Sequence, residues 1–526
     1  MESSEGVQQG DPLGPLLFSN TIHPLLLSLK SDLNFGFLDD LTLGGPVGAV
    51  AEDVEIVVNE GSRMGLFLNC AKSELIAHKE AVINDATLQS FCRFDSQNAL
   101  LLGAPLFPGE SLDAAWDARC ADLERAVGRL KLVSSQDALL LLRASFSSPR
   151  VQYLMRCSPS VDHPALTRFD QQLRTAVSGI TNTDLSDTQW LQASLPIRMG
   201  GLGIRRVASL ALPAYLASAA STLPTQSSLL SDTTVNEDHF LSDYLAQWQN
   251  KTSHELQPDA LPTRQSVWDQ PCLLLDREHV QSELESREEK ARFEAVSAPH
   301  SGDWLLALPL SSCGLQLDDE AVRVAVSLRL GVNLGAAHTC RCGADVDCRG
   351  LHSFVCKRAP GRIMRHQQLN DLVTRALTSV GVPATKEPVG LLRSDGRRPD
   401  GMSLIPWQEG KMVVWDVTVA STLAQSYAED AARGAGEVAE RAAARKRDKY
   451  SDLVRSHLFL PLAFENLGPM NAEAVDFFKE VGRRLTEASL DKRETFFLFQ
   501  RLSLTLQRFN SVLFRDSFVL VDNEPE

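Results

Sequence analysis

The sequence predicts a multidomain α+β protein. Its 526 residues suffice for roughly three to four domains of about 150 residues each. Apolar residues recur at helical spacing in AAWDARCADLERAVGRLKLV (114–133) and in QDALLLLRASF (136–146). Short apolar runs with strand character, FGFLDDLTLGG (35–45) and KMVVWDVTVA (411–420), lie on either side of this helical middle. Since 44% of the residues are hydrophobic and 23% are charged, the chain can build several folded cores.

The first half of the chain is predicted to pass from a mixed region into helices. Residues 1–80 are predicted as mixed helix and strand, and residues 81–220 as amphipathic helices. Within the helical region, GGLGIRR (200–206) is predicted as a turn between two helices. Residues 221–265 are rich in Ser, Thr, Gln, Asp and Pro, which predicts a partly ordered linker.

The second half is predicted to hold a compact α/β domain between helical segments. The charged stretch SELESREEKARFEAV and the stretch around 322–330 are predicted helices that lead into a cysteine cluster. After the cluster come a helix (IMRHQQLNDLVTRALTSV), short strands (VPATKEP and KMVVWDVTVA) and a long Ala-rich helix over about 424–453. Residues 465–515 close the chain with helical periodicity.

Charge and composition restrict the partners that the chain can have. Lys plus Arg number 52 against 67 for Asp plus Glu, a net charge of −15, so any nucleic-acid site must be local. The first residues, MESSEGVQQGD, lack the basic start and the apolar stretch of a secretory signal. Apolar runs such as ALLLLRASF are less than half of the roughly 20 residues that a membrane span needs. The sequence therefore predicts an intracellular protein without a membrane partner, in a compartment where clustered cysteines favour metal over disulfides.

A predicted hairpin carries two adjacent carboxylates. In FGFLDDLTLGG the two short strands meet at Asp39 and Asp40, a layout that can bind divalent cations, although adjacent acids in a turn are usually only solvated. Upstream lies GVQQGDPLGPLLFS (6–19), a glycine turn followed by Pro12 at a predicted helix start. Downstream, GLFLNCAKSELI (65–76) contains Lys72, which could face a phosphate.

Four soft ligands follow one another at the spacing of a small zinc site. In CRCGADVDCRGLHSFVCKRAPGRIMRH (340–366) they are Cys340, Cys342, His352 and Cys356, with Cys348 as an alternative ligand. The same stretch has a local charge of +4, which favours phosphate contact: six basic residues (Arg341, Arg349, Lys357, Arg358, Arg362 and Arg365) against Asp345 and Asp347.

A second pair of acids lies in RRPDGMSLIPWQEGKMVVWDVTVA (397–420). Asp400 follows a proline, and Asp416 lies inside an apolar strand where an unpaired charge is costly to bury. Two acids on neighbouring strands can hold a divalent cation that activates water against a phosphodiester. A catalytic cation is also needed, and ERAAARKRDKY (440–450) supplies Lys446. The structural alternative is that Asp416 merely pairs, as a strand-end residue, with a nearby Arg.

The three amino-terminal blocks resemble those of reverse transcriptases of non-long-terminal-repeat (non-LTR) retrotransposons. They are similar to that family's template-gripping loop, its FADD-type catalytic hairpin and its GLxLNxxKSE block, with Leu38 where the family usually has Ala. The resemblance implies that Asp39 and Asp40 hold Mg²⁺, that Gln9 and Gly10 contact the template, and that Lys72 lies near the incoming triphosphate. A third catalytic Asp on an earlier strand is not found in this sequence. We therefore expect a truncated palm whose polymerase activity is lost.

The later blocks resemble two further parts of the same retrotransposon group. The cysteine cluster is similar to its Cys-Cys-His-Cys knuckle, and the acid pair to its restriction-like endonuclease of the PD-(D/E)xK family. In the general PD-(D/E)xK pattern a Lys follows two residues after the second acid, where this chain has Thr418. The group instead places the lysine on a helix in a K-x2-K-Y context. The resemblance therefore implies Mg²⁺ or Mn²⁺ at the acid pair, with Lys446 as catalytic cation and with Lys449 and Tyr450 as supporting phosphate contacts. Glu387 and Asp371 are alternatives for a further acid. The local charge of +4 makes Arg358, Arg362 and Arg365 the candidate nucleic-acid contacts.

The sequence thus predicts a fragment of a non-LTR retrotransposon polyprotein. The expected domains are a partial palm (1–80), a helical thumb-like region (81–220), a linker (221–265), a helical linker region (266–335), a zinc knuckle (336–366), a restriction-like endonuclease (367–465) and carboxy-terminal helices (466–526). The expected activity is metal-dependent DNA nicking in the nucleus during DNA integration, with target DNA and element RNA as partners. The alternative is a nonenzymatic remnant that binds nucleic acid through the zinc knuckle.

Overall fold

The structure is a computed structural model that describes residues 10–77, 82–229, 239–257, 260–392 and 396–518. It divides into two compact units. Unit 1 comprises Met1–Asp117, Tyr153–Val161 and Ala211–Trp268, and unit 2 comprises Ala118–Gln152, Asp162–Leu210 and Asp269–Glu526.

The helices and strands of the first half are short at the beginning and long afterwards. In chain order they are α1 (Gly14–Leu27), β1 (Leu33–Phe37), β2 (Asp40–Gly44), α2 (Val47–Arg63), β3 (Glu74–Ile76), α3 (Ala86–Gln89), β4 (Cys92–Phe94), β5 (Leu100–Leu101), β6 (Ala104–Pro105), α4 (Glu110–Leu130), α5 (Ser135–Leu141), α6 (Ser148–Cys157), α7 (Pro164–Thr181), α8 (Asp187–Ser194), α9 (Val207–Leu229) and α10 (His239–Thr252).

The second half alternates helices with strands, of which β9 to β12 form one larger sheet and β7 and β8 a two-stranded sheet. Its elements are α11 (Gln265–Glu283), α12 (Arg287–Ser297), α13 (Asp303–Leu306), α14 (Asp319–Leu330), β7 (His338–Thr339), β8 (Asp345–Val346), α15 (Gly361–Ser379), β9 (Ala384–Lys386), β10 (Gly401–Ser403), β11 (Val413–Ala420), α16 (Ala428–Arg433), α17 (Glu437–Lys449), β12 (Leu458–Glu465), α18 (Ala472–Ser489) and α19 (Glu494–Arg515).

In unit 1 the predicted carboxylate hairpin is an antiparallel pair of strands. β1 pairs with β2 from Leu33 opposite Gly44 to Phe37 opposite Asp40. Leu38 and Asp39 make the turn, and Leu38 takes the left-handed conformation with φ of 55°. The other sheets of this unit are also two-stranded: β3 with β4, and β5 with β6.

Several predicted elements have different bounds in the structure. Residues 81–109 contain the short strands β4 to β6 where amphipathic helices were expected. The expected linker over 221–265 contains the end of α9 and all of α10. The expected Ala-rich helix over 424–453 is interrupted between α16 and α17, because Gly436 takes a left-handed conformation with φ of 87°. Propensity summed over a window does not locate such breaks.

The larger sheet of unit 2 has the strand order β12-β11-β10-β9. β11 and β12 are parallel over their whole length, and α16 and α17 form the crossover between them. β10 pairs antiparallel with both β11 and β9. One face of the sheet packs in a cluster that contains Leu369, Phe478 and Leu502, and the other packs against Ala439 and Ala443 of α17. Coverage of both faces explains why β11 and β12 are almost continuously apolar.

One helix is long and apolar enough, by length and composition, to cross a membrane. It covers Val207–Ser228 within α9, and more than half of this segment is buried inside the protein. This helix differs from the expectation that no segment is long and apolar enough to span a membrane. A buried core helix of a soluble protein satisfies the same criterion, so this observation is weak evidence for a span.

Candidate functional site

The central acid of the candidate site is buried and paired with a lysine. Asp416 lies in the middle of β11, and its side chain is only 4% exposed. Lys446, in the last turn of α17, donates a hydrogen bond to Asp416 Oδ1. Burial raises the pKa of Asp416, the charge of Asp400 raises it further, and the charge and hydrogen bond of Lys446 lower it. The lysine thus supplies the counter-charge that a buried carboxylate needs.

Asp400 is held beside Asp416 by the start of β10. Its backbone N–H donates to Trp415 O at 3.0 Å, and its Oδ2 accepts from Val417 N at 2.6 Å. The next residue must be Gly401, since a Cβ there would lie 2.1 Å from the Trp415 ring. Within the described ranges no hydrogen-bond partner reaches Asp400 Oδ1. The two carboxylates therefore lie on neighbouring strands, with one oxygen of Asp400 free to bind a cation.

Two polar residues of α15 complete the site, and the sequence analysis did not identify either. His366 Nε2 lies 2.8 Å from Asp400 Oδ2, and this hydrogen bond raises the pKa of His366. Asn370 donates to Asp400 O at 3.0 Å and accepts from the Trp415 indole at 2.8 Å. Their spacing of four residues puts both on one face of the helix. The sequence signal that could have identified them is this pair of polar residues, four positions apart on one helix face, in RHQQLN (365–370).

Lys446 lies beside Asp416, the position expected from the sequence, whereas the Tyr450 side chain lies in the interior. The Tyr450 side chain is fully buried, and its hydroxyl donates to Arg398 O at 2.9 Å. Lys449 Nζ donates to the same hydroxyl at 2.8 Å. The buried ring holds the end of α17, and the phosphate contact expected of Tyr450 stays a prediction.

The two candidates for a further acid are both paired with cations. Asp371 accepts from Lys386, and Glu387 from Arg398. The backbone N–H of Glu387 donates to Asp400 O at 3.0 Å. The structure places Glu387 at the site through its backbone, whereas its carboxylate is directed to Arg398.

A second site gathers four soft ligands. The ligand atoms of Cys340, Cys342, His352 and Cys356 all lie within 4.8 Å of one another. The Cys342 Sγ to His352 Nε2 distance is 3.1 Å, and the Cys340 Sγ to Cys356 Sγ distance is 3.7 Å. Cys348 is exposed and outside this group, so the alternative ligand set is not supported. Three thiols and one imidazole can hold a metal ion and are a donor set consistent with zinc.

Local backbone geometry supports this metal-ligand group. Gly343, at the turn after Cys342, has φ of 90°, and Ala344 N–H lowers the pKa of Cys342 to about 7. Burial raises the pKa of Cys340. A thiol with a lowered pKa supplies the thiolate that binds metal. The group packs on the end of α19, where His338 stacks on Phe518 with ring centroids 4.0 Å apart.

The basic residues around the metal-ligand group are only partly exposed. Arg358 lies at the surface, and Arg362 is partly buried with a hydrogen bond to Val355 O. Arg365 is 3% exposed, and burial lowers its pKa to about 10. Arg365 is therefore part of the interior, and its nucleic-acid contact stays a prediction. Arg349 is held by Glu289, which reduces the expected basic face further.

The hairpin acids of unit 1 are exposed and apart from other ligands. Asp39 and Asp40 lie at the surface, and so does Lys72 in the turn before β3. Gly10 begins the described chain with φ of 94°, whereas Gln9 lies outside the described residues. In the described part of the chain, the cysteine–histidine group is the only set of three or more ligand side chains close enough to share a metal. Magnesium binding at either acid pair therefore stays a prediction.

Comparison with known proteins gives one informative match, and no protein-family model matches the chain. The chain is 22% identical over 407 residues to the Retrotransposable element SLACS 132 kDa protein of Trypanosoma brucei gambiense. The match covers 76% of this chain but only 30% of that protein. This chain is thus a distant homologue of a retrotransposable-element protein and spans less than a third of its length, which supports its identification as a retrotransposon protein.

Proposed function

We propose that residues 367–465 form a divalent-metal-dependent DNA endonuclease of a retrotransposon protein. The observation that carries this proposal is the meeting of Asp400, Asp416 and Lys446, which come from three separate elements. Two carboxylates and an ammonium group are the components that metal-assisted phosphodiester hydrolysis requires.

Each residue of the site has a distinct role in this proposal. Asp400, through its free Oδ1, and Asp416 would hold Mg²⁺ or Mn²⁺, which when bound activates water and polarises the phosphate. Lys446 Nζ would approach the scissile phosphate and stabilise the negative charge that develops there, as Thr418 cannot. His366 holds a proton towards Asp400 and fixes the orientation of that carboxylate.

The fold supports these roles because it fixes α17 against the sheet. Glu465, at the end of β12, accepts a hydrogen bond from Ala439 N at 3.2 Å in the first turn of α17. Tyr450 anchors the other end of the helix through Arg398 O. Lys446 is thus carried on a helix held at both ends, a condition for precise placement of a catalytic cation.

The test is nicking of supercoiled plasmid DNA by the purified chain with Mg²⁺ or Mn²⁺. Lys446→Ala should lower the nicking rate by about 10²–10³-fold, the usual effect of removing one electrostatic stabiliser. Its binding to DNA at fixed salt should be nearly unchanged. Arg447→Ala is the matched control, because Arg447 is the next residue and pairs with Glu473 away from the site. Full nicking by Asp400→Ala, or nicking that falls only in proportion to binding, would refute the endonuclease.

The second candidate function is nonenzymatic nucleic-acid binding through the zinc knuckle. The four-ligand group at Cys340 and its neighbours favours it. In that case Cys356→Ser should abolish binding to nucleic acid, and neither Asp400→Ala nor Lys446→Ala should have an effect.

The wider setting is proposed from the distant homologue. DNA integration in the nucleus, with target DNA and element RNA as partners, would follow from a retrotransposon protein. Asp39 and Asp40 are proposed as part of a polymerase palm. We propose no polymerase activity for this chain, because no third ligand side chain joins them within the described ranges.

A further inference from the structure

Helix α17 carries a row of cations beside the row that holds Lys446. Arg441, Arg445 and Lys449 are spaced four residues apart and therefore share one side of the helix. Lys446 points inward to Asp416, about 100° around the helix from Arg445. The row therefore flanks the candidate active site and does not enter it.

Tyr427 orders the middle of this row. Arg445 donates a hydrogen bond to the Tyr427 hydroxyl at 2.9 Å, and its guanidinium carbon lies 5.3 Å from the centre of the ring. The guanidinium carbon of Arg441 lies 5.8 Å from the same centre. An arginine that is already held over an aromatic ring loses less conformational entropy when it binds a ligand.

Arg441 and Arg445 differ in their acidic partners. Arg433 and Arg441 share the carboxylate of Asp430, whose side chain is 4% exposed. No acidic partner reaches Arg445 in the part of the chain that the structure describes. Glu437, four residues before Arg441, and Asp448, three residues after Arg445, lie on the same side of the helix, so the feature is a guanidinium group without a carboxylate partner and not a net charge.

On the opposite side of α17 the arginine is paired with acidic residues. Arg447 lies on that side and pairs with Glu440 and with Glu473, the latter at 3.1 Å. Its charge is neutralised by two carboxylates, whereas that of Arg445 is not. The asymmetry indicates which side of the helix faces an anionic partner.

We propose that Tyr427, Arg441 and Arg445 form a cationic flank that binds the phosphodiester backbone of DNA beside the scissile phosphate. This inference rests on the proposed endonuclease function and adds the surface on which its substrate lies. Arg445 is the principal contact, Tyr427 orients its guanidinium group, and Lys446 alone acts on the reacting phosphate. The flank therefore contributes affinity and not chemistry.

The experiment measures binding of the full chain to a 30-base-pair DNA duplex at several NaCl concentrations without added Mg²⁺. The logarithm of the affinity falls with the logarithm of the salt concentration, and Arg445→Gln should make this slope less steep by about 1, the value for one lost phosphate contact. Tyr427→Phe keeps the ring but removes the hydroxyl acceptor, so it should weaken binding by less than Arg445→Gln does. Arg447→Gln is the control and should leave the slope unchanged.

Nicking kinetics separate this inference from the endonuclease proposal. Arg445→Gln should raise KM with kcat unchanged, whereas Lys446→Ala lowers kcat. If the wild-type chain binds DNA but nicks nothing, the endonuclease fails while the salt-slope comparison still tests the flank. The cationic flank would be overturned by equal salt slopes for Arg445→Gln and Arg447→Gln, or by a wild-type chain that does not bind DNA. It would also be overturned if Arg445→Gln weakened binding to an RNA duplex of the same length but not to the DNA duplex. The variants should have the melting temperature of the wild-type chain, which excludes misfolding as the cause of weaker DNA binding.

Discussion

Removal of the Lys446 ammonium group should destabilise the sheet in a pH-dependent way. Lys446→Met keeps most of the side-chain volume but leaves Asp416 without its cation, in a position where its carboxylate is 4% exposed. Breaking a buried ion pair by removing one partner costs about 3–5 kcal/mol. Since Lys446 is 25% exposed, solvent screening reduces this cost, and we expect about 2–3 kcal/mol at pH 7.5.

The direction of the pH dependence follows from the raised pKa of Asp416. A carboxyl group whose pKa is higher in the folded state binds its proton more tightly there, so stability falls as pH rises through that range. Loss of Lys446 raises the pKa of Asp416 further, so in Lys446→Met the loss of stability with rising pH continues to higher pH. As pH falls below the raised pKa, the carboxyl group takes up its proton and loses its charge, so most of the cost should disappear.

The assay is hydrogen–deuterium exchange of the β11 amides, which reports local opening of this sheet. A cost of 2–3 kcal/mol corresponds to roughly 30- to 150-fold faster exchange in Lys446→Met than in the wild-type chain at pH 7.5. The ratio of the two rates should fall as pH is lowered from 7.5 to 4, and the double variant Asp416→Asn, Lys446→Met should recover protection. An equal ratio at both pH values would show that lost packing, and not an unpaired charge, causes the effect.

Three further predictions concern the metal-ligand group and the interior. Elemental analysis should find one zinc per chain, lost in Cys356→Ser and kept in Cys348→Ser, and a chain without zinc would contradict the site. Gly401→Ala should lower stability by about 1–3 kcal/mol in thermal unfolding, because the new methyl group overlaps the Trp415 ring, and an unchanged melting temperature would disprove that overlap. Burial raises the pKa of Asp170 to about 6, so the stability of the wild-type chain should fall by up to about 3 kcal/mol as pH rises from 4 to 6. Asp170→Asn should flatten this pH dependence of the melting temperature. The same pH dependence in both proteins would show that the pKa of Asp170 is not raised.

Local patterns in the sequence were sufficient for the elements and residues whose signal is short in range. The hairpin at Asp39 and the helix over 114–133 follow from turn chemistry and from periodicity, which depend on neighbours within a few residues. The metal-ligand group depends on ligand types at set spacings, and the structure draws the four predicted ligands together. A buried charge in an apolar strand was enough to single out Asp416.

The remaining features depend on contacts between distant parts of the chain. His366 reaches Asp400 only because α15 packs against the sheet, and periodicity cannot show which helix covers which strand. Tyr450 and Arg365 read as surface residues in a basic stretch, yet tertiary packing buries both side chains. The long predicted helix is broken at Gly436, where Glu465 of β12 supplies hydrogen-bond acceptors to the new helix start.

The sequence by itself determined the residue types of the candidate site: two acids, a displaced lysine and four soft metal ligands. The tertiary structure decided which of them meet and which way the basic helix turns. Lys446 faces inward to Asp416 and Arg445 faces outward over Tyr427, although the two are adjacent in the chain. The physical reason is that a helix rotates by about 100° per residue, so packing of its Ala-rich face alone sets the direction of each cation.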